Sequence, residues 1–342
     1  MKTLLHLSPA GRQYWRRTRQ GWQPLTGDPD TRDPLWVVTD LAEESFAEIE
    51  TPRLYGRDRN DLLDRQLATR FPDTPYRSRL KVDHGGKLIE RLVPTRFTLF
   101  GITAADKLNA EFDARNISIA ALCPTSLLLT RMARHKQLPP DLFVVLPSTA
   151  GLRIVFVKNR IPILTRLAPI PDQVAAQAEE IIRTHRYLEN VRTLQRGSQP
   201  PPVMILGNAA AFAAPLGAAR LELVAPPPPW NNAAYNDWRL PLFDLALREQ
   251  PFGQLAPVAR RTVYLARRLR QGALAAAAAA VVAGLLAAGT NAADIFGIVR
   301  DKEQNQATIH RLNTQLADLD QRTATFGVTL ELVRRAVTLN AS

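Results

Sequence analysis

The amino-acid sequence predicts an α/β domain followed by one transmembrane helix and a coiled-coil helix. Residues 1–250 alternate strand and helix patterns in two tandem blocks, residues 271–293 carry no charge, and residues 305–337 place side chains at heptad spacing. The predicted domains are an α/β domain over 1–250, with halves at about 1–138 and 139–250, and a basic juxtamembrane segment over 251–270. A transmembrane helix over 271–293 and a coiled-coil stalk over 294–342 follow.

Short strands and helices succeed one another along the first 250 residues. In the first block we expect strands at 4–7, 13–15, 35–38, 76–82, 96–100 and 117–122, and helices at 60–70, 104–115 and 124–135. In the second block we expect strands at 142–146, 152–157, 162–166 and 203–206, a helix near 171–194 and a helix after Gly207. The repetition of hairpin strands followed by helix and strand predicts two similar α/β halves.

The composition is that of an ordinary globular chain, with 46% hydrophobic and 22% charged residues among 342. It excludes collagen-like, wholly disordered and polytopic membrane proteins. The single cysteine, Cys123, excludes an internal disulfide framework and a cysteine-based metal cage. The five histidines lack paired metal-ligand spacing, and the sequence has no Walker loop, dinucleotide fingerprint or GxSxG elbow. We therefore predict no catalytic residue and no metal site.

The net charge of +12 is unevenly distributed. The tail from 294 to 342 is neutral, whereas residues 251–270 contain five arginines and no acidic residue. These are Arg260, Arg261, Arg267, Arg268 and Arg270. Since an uncharged stretch follows them, we expect them to contact anionic lipid headgroups, with docking on a partner protein as the alternative.

The uncharged stretch, QGALAAAAAAVVAGLLAAGTNAA, predicts the membrane span. Its 18 residues from 272 to 289 are all apolar or glycine and would extend about 27 Å as a helix, close to the thickness of a hydrocarbon core. A buried alanine-rich helix of a soluble protein is the alternative. The arginines on its N-terminal side predict a cytoplasmic N-terminus and a C-terminus across the membrane.

Beyond the span, ten residues follow the a and d positions of a heptad repeat. They are Asn305, Ile309, Leu312, Leu316, Leu319, Thr323, Phe326, Leu330, Val333 and Val337. This spacing predicts a coiled coil and hence a homo- or hetero-oligomer. An amphipathic helix packed on its own domain, with Gly327 as a break between two helices, is the alternative.

Four segments of the second block resemble successive elements of actin-like proteins. LFVVLPSTAGLRIVFVKNRIPILTR (142–166) resembles the three-stranded opening of their second half, and QAEEIIRTHRYLENVR (177–192) resembles the next helix of the actin-like pilus-assembly proteins. VMILGNAAAFAAPLG (203–217) is similar to the adenosine-loop strand and helix, and WRLPLFDLALRE (238–249) to the closing helix. The order and spacing resemble the PilM-like family of type IV pilus assembly proteins.

The segment QLAPVARR (254–261), with the basic, apolar and heptad segments after it, resembles the start of the PilN-like membrane partner, whose cytoplasmic segment docks on the actin-like protein. The chain thus resembles a fusion of the two, and also the GspL-like inner-membrane protein of type II secretion. The resemblance implies a degenerate actin-like fold with two RNase H-like halves. It also implies a bitopic scaffold of the bacterial inner membrane that links cytoplasmic motor components to periplasmic partners and other platform proteins.

ATP is the ligand that an actin-like fold implies, but the phosphate loops have lost their acidic residues. The first loop, 7–11, contains no aspartate, the second, 146–151, contains no acid, and the adenosine loop reads Gly207-Asn208. Because acidic residues hold the metal and orient the attacking water, we predict a pseudo-ATPase without a bound cofactor. If a nucleotide does bind, the residues implied are Ser148, Thr149, Gly151, Gly207 and Asn208, and ordinary turn chemistry is the alternative explanation of them.

Two other functions remain open at this point. An actin-like protein that binds ATP with weak or no hydrolysis is the first alternative. A basic nucleic-acid-binding protein is the second; it accounts for the net charge but leaves residues 271–293 unexplained, so we expect no nucleic-acid partner.

Overall fold

The computed structural model describes residues 2–29, 33–52, 54–81, 95–228, 230–231, 237–248, 253–325 and 330–339. The chain divides into two compact units, Met1–Arg267 and Arg268–Ser342. The described strands are β1 Lys2–Ser8, β2 Gly11–Thr18, β3 Gly21–Leu25, β4 Leu35–Thr39, β5 Glu44–Thr51, β6 Arg77–Lys81, β7 Thr95–Ile102, β8 Ile119–Pro124, β9 Leu142–Ser148, β10 Gly151–Lys158, β11 Ile161–Ala168 and β12 Val203–Ile205. The described α-helices are α1 Gly56–Arg70, α2 Ala105–Asp113, α3 Thr125–Ala133, α4 Val174–Asn190, α5 Ala213–Ala218, α6 Arg239–Leu247, α7 Thr262–Thr325 and α8 Leu330–Leu339.

The first half is a five-stranded sheet with the order β3-β2-β1-β4-β8. Its first three strands form an antiparallel meander, and β4 and β8 run parallel to β1. A second, antiparallel sheet of order β5-β7-β6, with α1 and α2, is inserted between β4 and β8. β3 and β5 lie outside the elements that the sequence patterns predicted, and each is the edge strand of its sheet.

The second half repeats the strand order of the first. Its sheet runs β11-β10-β9-β12, again with three antiparallel strands and then a strand parallel to the first of them. Leu223 forms a parallel bridge with Val203 of β12, at the place that β8 occupies in the first half. Two halves with this shared order constitute the actin-like fold, so the predicted fold class is confirmed.

The two sheets share one apolar core. α3 and α6 contribute to it, with Leu128 and Phe243 packed in the same cluster as Trp36 of β4 and Val144 of β9. β4 and β9 read as nearly continuous apolar runs because both of their faces are covered. The other face of the second sheet packs against α4.

A buried ion triad joins the halves. The guanidinium of Arg153 on β10 lies 3.2 Å from the carboxylate of Asp40 and 3.4 Å from that of Glu44, and all three side chains are almost fully buried. Arg153 also donates to the Leu41 carbonyl at 2.7 Å. Glu44 accepts from the backbone N–H of Ser126 at 3.0 Å, in the first turn of α3. Burial raises the pKa of Glu44, against the opposing effect of Arg153.

The described residues of the second unit are helical. α7 is 64 residues long, or about 96 Å, and contains the predicted span as part of one continuous helix. By length and composition it can cross a membrane, and none of its most apolar window is buried. That it crosses one stays a prediction. The heptad residues Ile309, Leu312, Leu316 and Leu319 are more than half exposed, and their pairing in a coiled coil stays a prediction. Phe326 and Gly327 lie outside the described residues.

Candidate functional site

The β1–β2 and β9–β10 turns have the same local structure. Ser8 pairs with Gly11 and Ser148 with Gly151, and each serine hydroxyl donates to the carbonyl of its glycine, at 3.4 and 3.1 Å. Both glycines have positive φ. At Gly151 an added Cβ would also lie 2.5 Å from the Ala168 carbonyl oxygen, so the turn and its packing require glycine there.

Both turns line one cleft of about 820 Å³ between the halves. Ser148 and Thr149 of the predicted nucleotide set lie on it, opposite Ser8 and Ala10 of the first turn. Gly207 and Asn208 are exposed and are not among the residues that line this cleft. The structure thus brings together the two phosphate loops of the resemblance but not the adenosine-loop pair.

The residues around the start of α6 occupy part of this cleft. The Arg239 side chain forms a chelate with Asp237, with N–O distances from 2.6 to 3.0 Å, and lies 5.1 Å above the Trp15 ring. Burial works to raise the pKa of Asp237, but the hydrogen bonds from Arg239 outweigh it and hold the pKa below its usual value. Asp237 is the only carboxylate among the described residues that line the cleft. Since it is already paired, these residues do not fit a magnesium-bound nucleotide.

His6 forms part of the cleft floor and is uncharged near neutral pH. Burial lowers its pKa from 6.5 to about 4, against the opposing charge of Asp40. It packs against the rings of Phe243 and Trp238. Among the described residues, no group of three or more metal-binding side chains is present. The described lining of the cleft therefore combines aromatic rings with the hydroxyls of Ser8, Ser148 and Thr149 and with the Asp237–Arg239 pair.

A second site lies at the edge of the first sheet, where the chain segment before α7 is docked. The backbone N–H of Leu255 donates to the Leu122 carbonyl of β8 at 2.7 Å. Leu255 and Ala256 are 1% and 4% exposed and belong to the apolar core of the first half. The Gln254 side chain bonds both the N–H and the carbonyl of Ala256, at 2.7 and 2.9 Å. This segment covers an edge strand that would otherwise expose backbone groups.

Three of the five predicted arginines contact the first half. Arg260 pairs with Asp113 and donates to the Asn109 side chain at 3.2 Å. The Arg261 Nε donates to the Ala120 carbonyl of β8 at 2.8 Å, and Arg267 forms an ion pair with Asp33 at 2.6 Å. The hydrogen bond from Arg260 lowers the pKa of Asp113.

The other two arginines, Arg268 and Arg270, belong to the second unit and are exposed. Contact of all five with lipid stays a prediction. Leu255 and Ala256 were not among the predicted site residues. They belong to the QLAPVARR segment, whose resemblance to a docking segment was the signal that could have identified them.

No protein-family model matches the chain, and no curated protein matches its sequence. Solved structures that are similar to it include a PilM-PilN type IV pilus biogenesis complex, with 13% identity and a TM-score of 0.46 over 72% of this chain and 96% of that chain. Another is the cytoplasmic domain of EpsL, an inner membrane component of the type II secretion system of Vibrio cholerae, with 12% identity and a TM-score of 0.41 over 73% and 96%. A third is a Bacteroides thetaiotaomicron protein with an actin-like ATPase fold and unknown function, with 11% identity and a TM-score of 0.39 over 71% and 95%.

The first two of these structures come from the two groups that the motif series resembles. At sequence identities of 11–13%, the similarity to these structures is a similarity of fold alone. The fold itself is established by the strand order that the two halves share.

Proposed function

We propose that the chain is a bitopic inner-membrane scaffold of a type IV pilus or type II secretion platform. The two-half domain lies in the cytoplasm and faces the motor components, residues 271–293 cross the inner membrane, and the heptad helix meets periplasmic partners or another copy. The cleft performs no hydrolysis in this function, and the protein acts by connecting partners.

The observation that carries the proposal is the docked segment. Leu255, Ala256 and Arg261 fix it to the edge of the first sheet, and the chain continues through a 3-10 turn, Val258–Arg261, into α7. Because α7 is continuous from Thr262 into the apolar stretch, a displacement of the first half would be transmitted to the span by a helix and not by a flexible linker.

An insertion of flexible residues tests this coupling. The QLAPVARR segment suggests placing it near Gln254, but the docked residues Leu255 and Ala256 follow that point. A Gly-Ser insertion between Arg268 and Leu269 instead leaves the docked segment and the apolar stretch intact and interrupts only the helix between them.

We expect the protein with this insertion to remain in the membrane fraction and to lose pilus assembly or secretion in a complementation assay. The matched control is the same insertion between Arg19 and Gln20, in the exposed β2–β3 turn, which should retain function. Normal assembly or secretion with the insertion after Arg268 would contradict the proposal.

A further inference from the structure

The buried ion triad of Arg153, Asp40 and Glu44 connects the strands that carry the two turns of the cleft. Arg153 lies on β10, two residues after Gly151 of the second turn. The backbone N–H of Asp40 donates to the carbonyl of Leu7 on β1 at 2.8 Å, and the first turn begins at the next residue. The triad therefore bridges the two halves close to the cleft.

Arg153 is held in place by the second sheet. Its backbone lies opposite Leu146 of β9 and Leu167 of β11, so β10 is paired on both sides there. The guanidinium reaches the two carboxylates and the Leu41 carbonyl of the first half, at distances from 2.7 to 3.4 Å. Because a planar guanidinium donates in fixed directions, three acceptors specify its position more narrowly than one acceptor would.

Glu44 is held in place by the first half. Its Oε1 accepts from the Thr39 hydroxyl at 3.0 Å and from the Leu41 N–H at 3.2 Å. Its Oε2 accepts from the Ser126 N–H at 3.0 Å, at the start of α3. Each side of the ion pair is thus ordered by its own half, and the contact between them sets how the halves are placed.

The contacts of α6 with the first half are less restrictive. The shared apolar core is non-directional. Asp244 accepts from the Trp22 indole N–H at 2.9 Å and lies 3.3 Å from Arg17, which is 39% exposed. The hydrogen bond from Arg239 to Gln13 is exposed. Water and salt weaken such exposed contacts, whereas the side chains of the triad are at most 1% exposed.

We propose that the triad is an internal clamp that fixes the two halves in one relative position. A ligand between the two turns would bridge the halves at the same place, so the clamp makes the width of the cleft independent of a ligand. Because desolvation offsets most of the attraction within a buried ion pair, we assign the triad this positional role rather than a gain in net stability.

The clamp does not depend on the proposed function, but its use does. In a scaffold, a domain without a hinge between its halves transfers a displacement of the second half to the first half. The displacement then reaches the docked segment that leads into α7.

Distances between spin labels test the clamp. In a Cys123→Ala background, Ala110→Cys on α2 and Ala175→Cys on α4 place one exposed label on each half. The full chain, reconstituted in nanodiscs and diluted with unlabelled protein, would be measured by double electron–electron resonance. We expect one narrow distance distribution that Mg-ATP leaves unchanged.

The triple variant Asp40→Asn/Glu44→Gln/Arg153→Met removes the three charges together, so that no charge of the triad is left buried alone. We expect it to shift the distance distribution or to add a second population at another distance. Asp40→Asn alone leaves the pair of Arg153 with Glu44 and should produce a smaller change of the same kind. It decides the test if circular dichroism shows that the triple variant does not fold.

The matched control is Arg166→Met on β11. It removes an ion pair with Glu180, at 2.8 Å, that lies within the second half, and it should leave the distance distribution unchanged. An unchanged distribution in the folded triad variants, or an equal change in Arg166→Met, would overturn the proposal. A shift caused by Mg-ATP in the protein with the intact triad would overturn it as well.

A failure of the scaffold proposal is separate from these outcomes. Normal assembly or secretion with the insertion after Arg268 would contradict that proposal, and it would leave the distance between the two labels as it is.

Discussion

The backbone N–H of Leu255 donates to the carbonyl of Leu122 at 2.7 Å, across 133 residues of sequence. This hydrogen bond extends the pairing of the first sheet beyond its edge strand β8 and places the Leu255 side chain in the core of the first half. The segment that leads into α7 is therefore part of the folded domain.

Leu255→Ala should release this segment. Truncating a buried leucine costs about 2–5 kcal/mol in stability, and we expect faster amide hydrogen exchange at residues 254–261, measured by mass spectrometry on the full chain. Val258→Ala is the matched control, because the Val258 side chain is 69% exposed. Unchanged exchange in Leu255→Ala would show that the docking does not depend on this side chain.

Replacement of Arg153 should strongly destabilise the domain. Arg153→Met leaves the buried carboxylates of Asp40 and Glu44 without their cation, and breaking a buried ion pair from one side costs about 3–5 kcal/mol. The loss of stability is the difference in the free energy of unfolding between the unaltered protein and Arg153→Met, measured by urea denaturation followed by tryptophan fluorescence.

Neutralising the partners should recover much of that loss. The triple variant Arg153→Met/Asp40→Asn/Glu44→Gln removes the unpaired charges, so its stability should lie well above that of Arg153→Met alone. If the triple variant is less stable than the single one, the penalty does not arise from the buried carboxylates.

His6 should make the domain sensitive to acid. Its pKa is about 4 in the folded protein and near 6.5 in the unfolded chain. Between these values the unfolded state takes up a proton that the folded state does not, so stability falls as the pH is lowered from 6.5 towards 4.

We expect this single residue to account for about 3 kcal/mol of the loss below pH 4. Urea titrations at pH 7 and at pH 4 would measure it, and His6→Gln, which keeps a polar side chain but does not titrate, should show a correspondingly smaller pH dependence. Identical pH dependence in the two proteins would mean that His6 is protonated as easily when folded as when unfolded.

Mg-ATP should leave the melting temperature of the protein unchanged. The reason is the pairing of Asp237 with Arg239, which removes the only carboxylate among the described cleft residues from metal binding. Differential scanning fluorimetry with Mg-ATP and with magnesium alone provides the comparison. An increase in melting temperature with Mg-ATP that is absent in the variant Thr149→Trp would instead support the alternative of a nucleotide-binding actin-like protein.

The sequence patterns predicted the buried strands better than the edge strands. β4 and β9 are nearly continuous apolar runs and were expected at nearly their observed positions. β3 and β5 were missed: β3 contains Pro24, which an edge strand tolerates but which weakens a strand pattern. β5, ESFAEIET, is rich in glutamate, which is unfavourable in strands, and most of its residues are partly exposed.

The candidate site was predicted in part, for a related reason. The family resemblance implied Ser148 and Gly151, and both lie in the β9–β10 turn. Their part in nucleotide binding stays a prediction. The position of Arg239 over Trp15 in the cleft, and the docking of Leu255 on β8, depend on contacts between distant parts of the chain. One sequence with no periodic signal across those separations cannot reveal them.

Membrane topology tests the central claim most directly, and the single buried cysteine makes the measurement simple. In a Cys123→Ala background, Arg19→Cys and Asp320→Cys introduce one exposed thiol on each side of the uncharged stretch. Spheroplasts would be treated with a membrane-impermeant maleimide before or after lysis, and membranes extracted with carbonate. The account predicts that the protein stays in the membrane, that Asp320→Cys is labelled in intact spheroplasts, and that Arg19→Cys is labelled only after lysis. Release by carbonate, or labelling of both cysteines only after lysis, would contradict it.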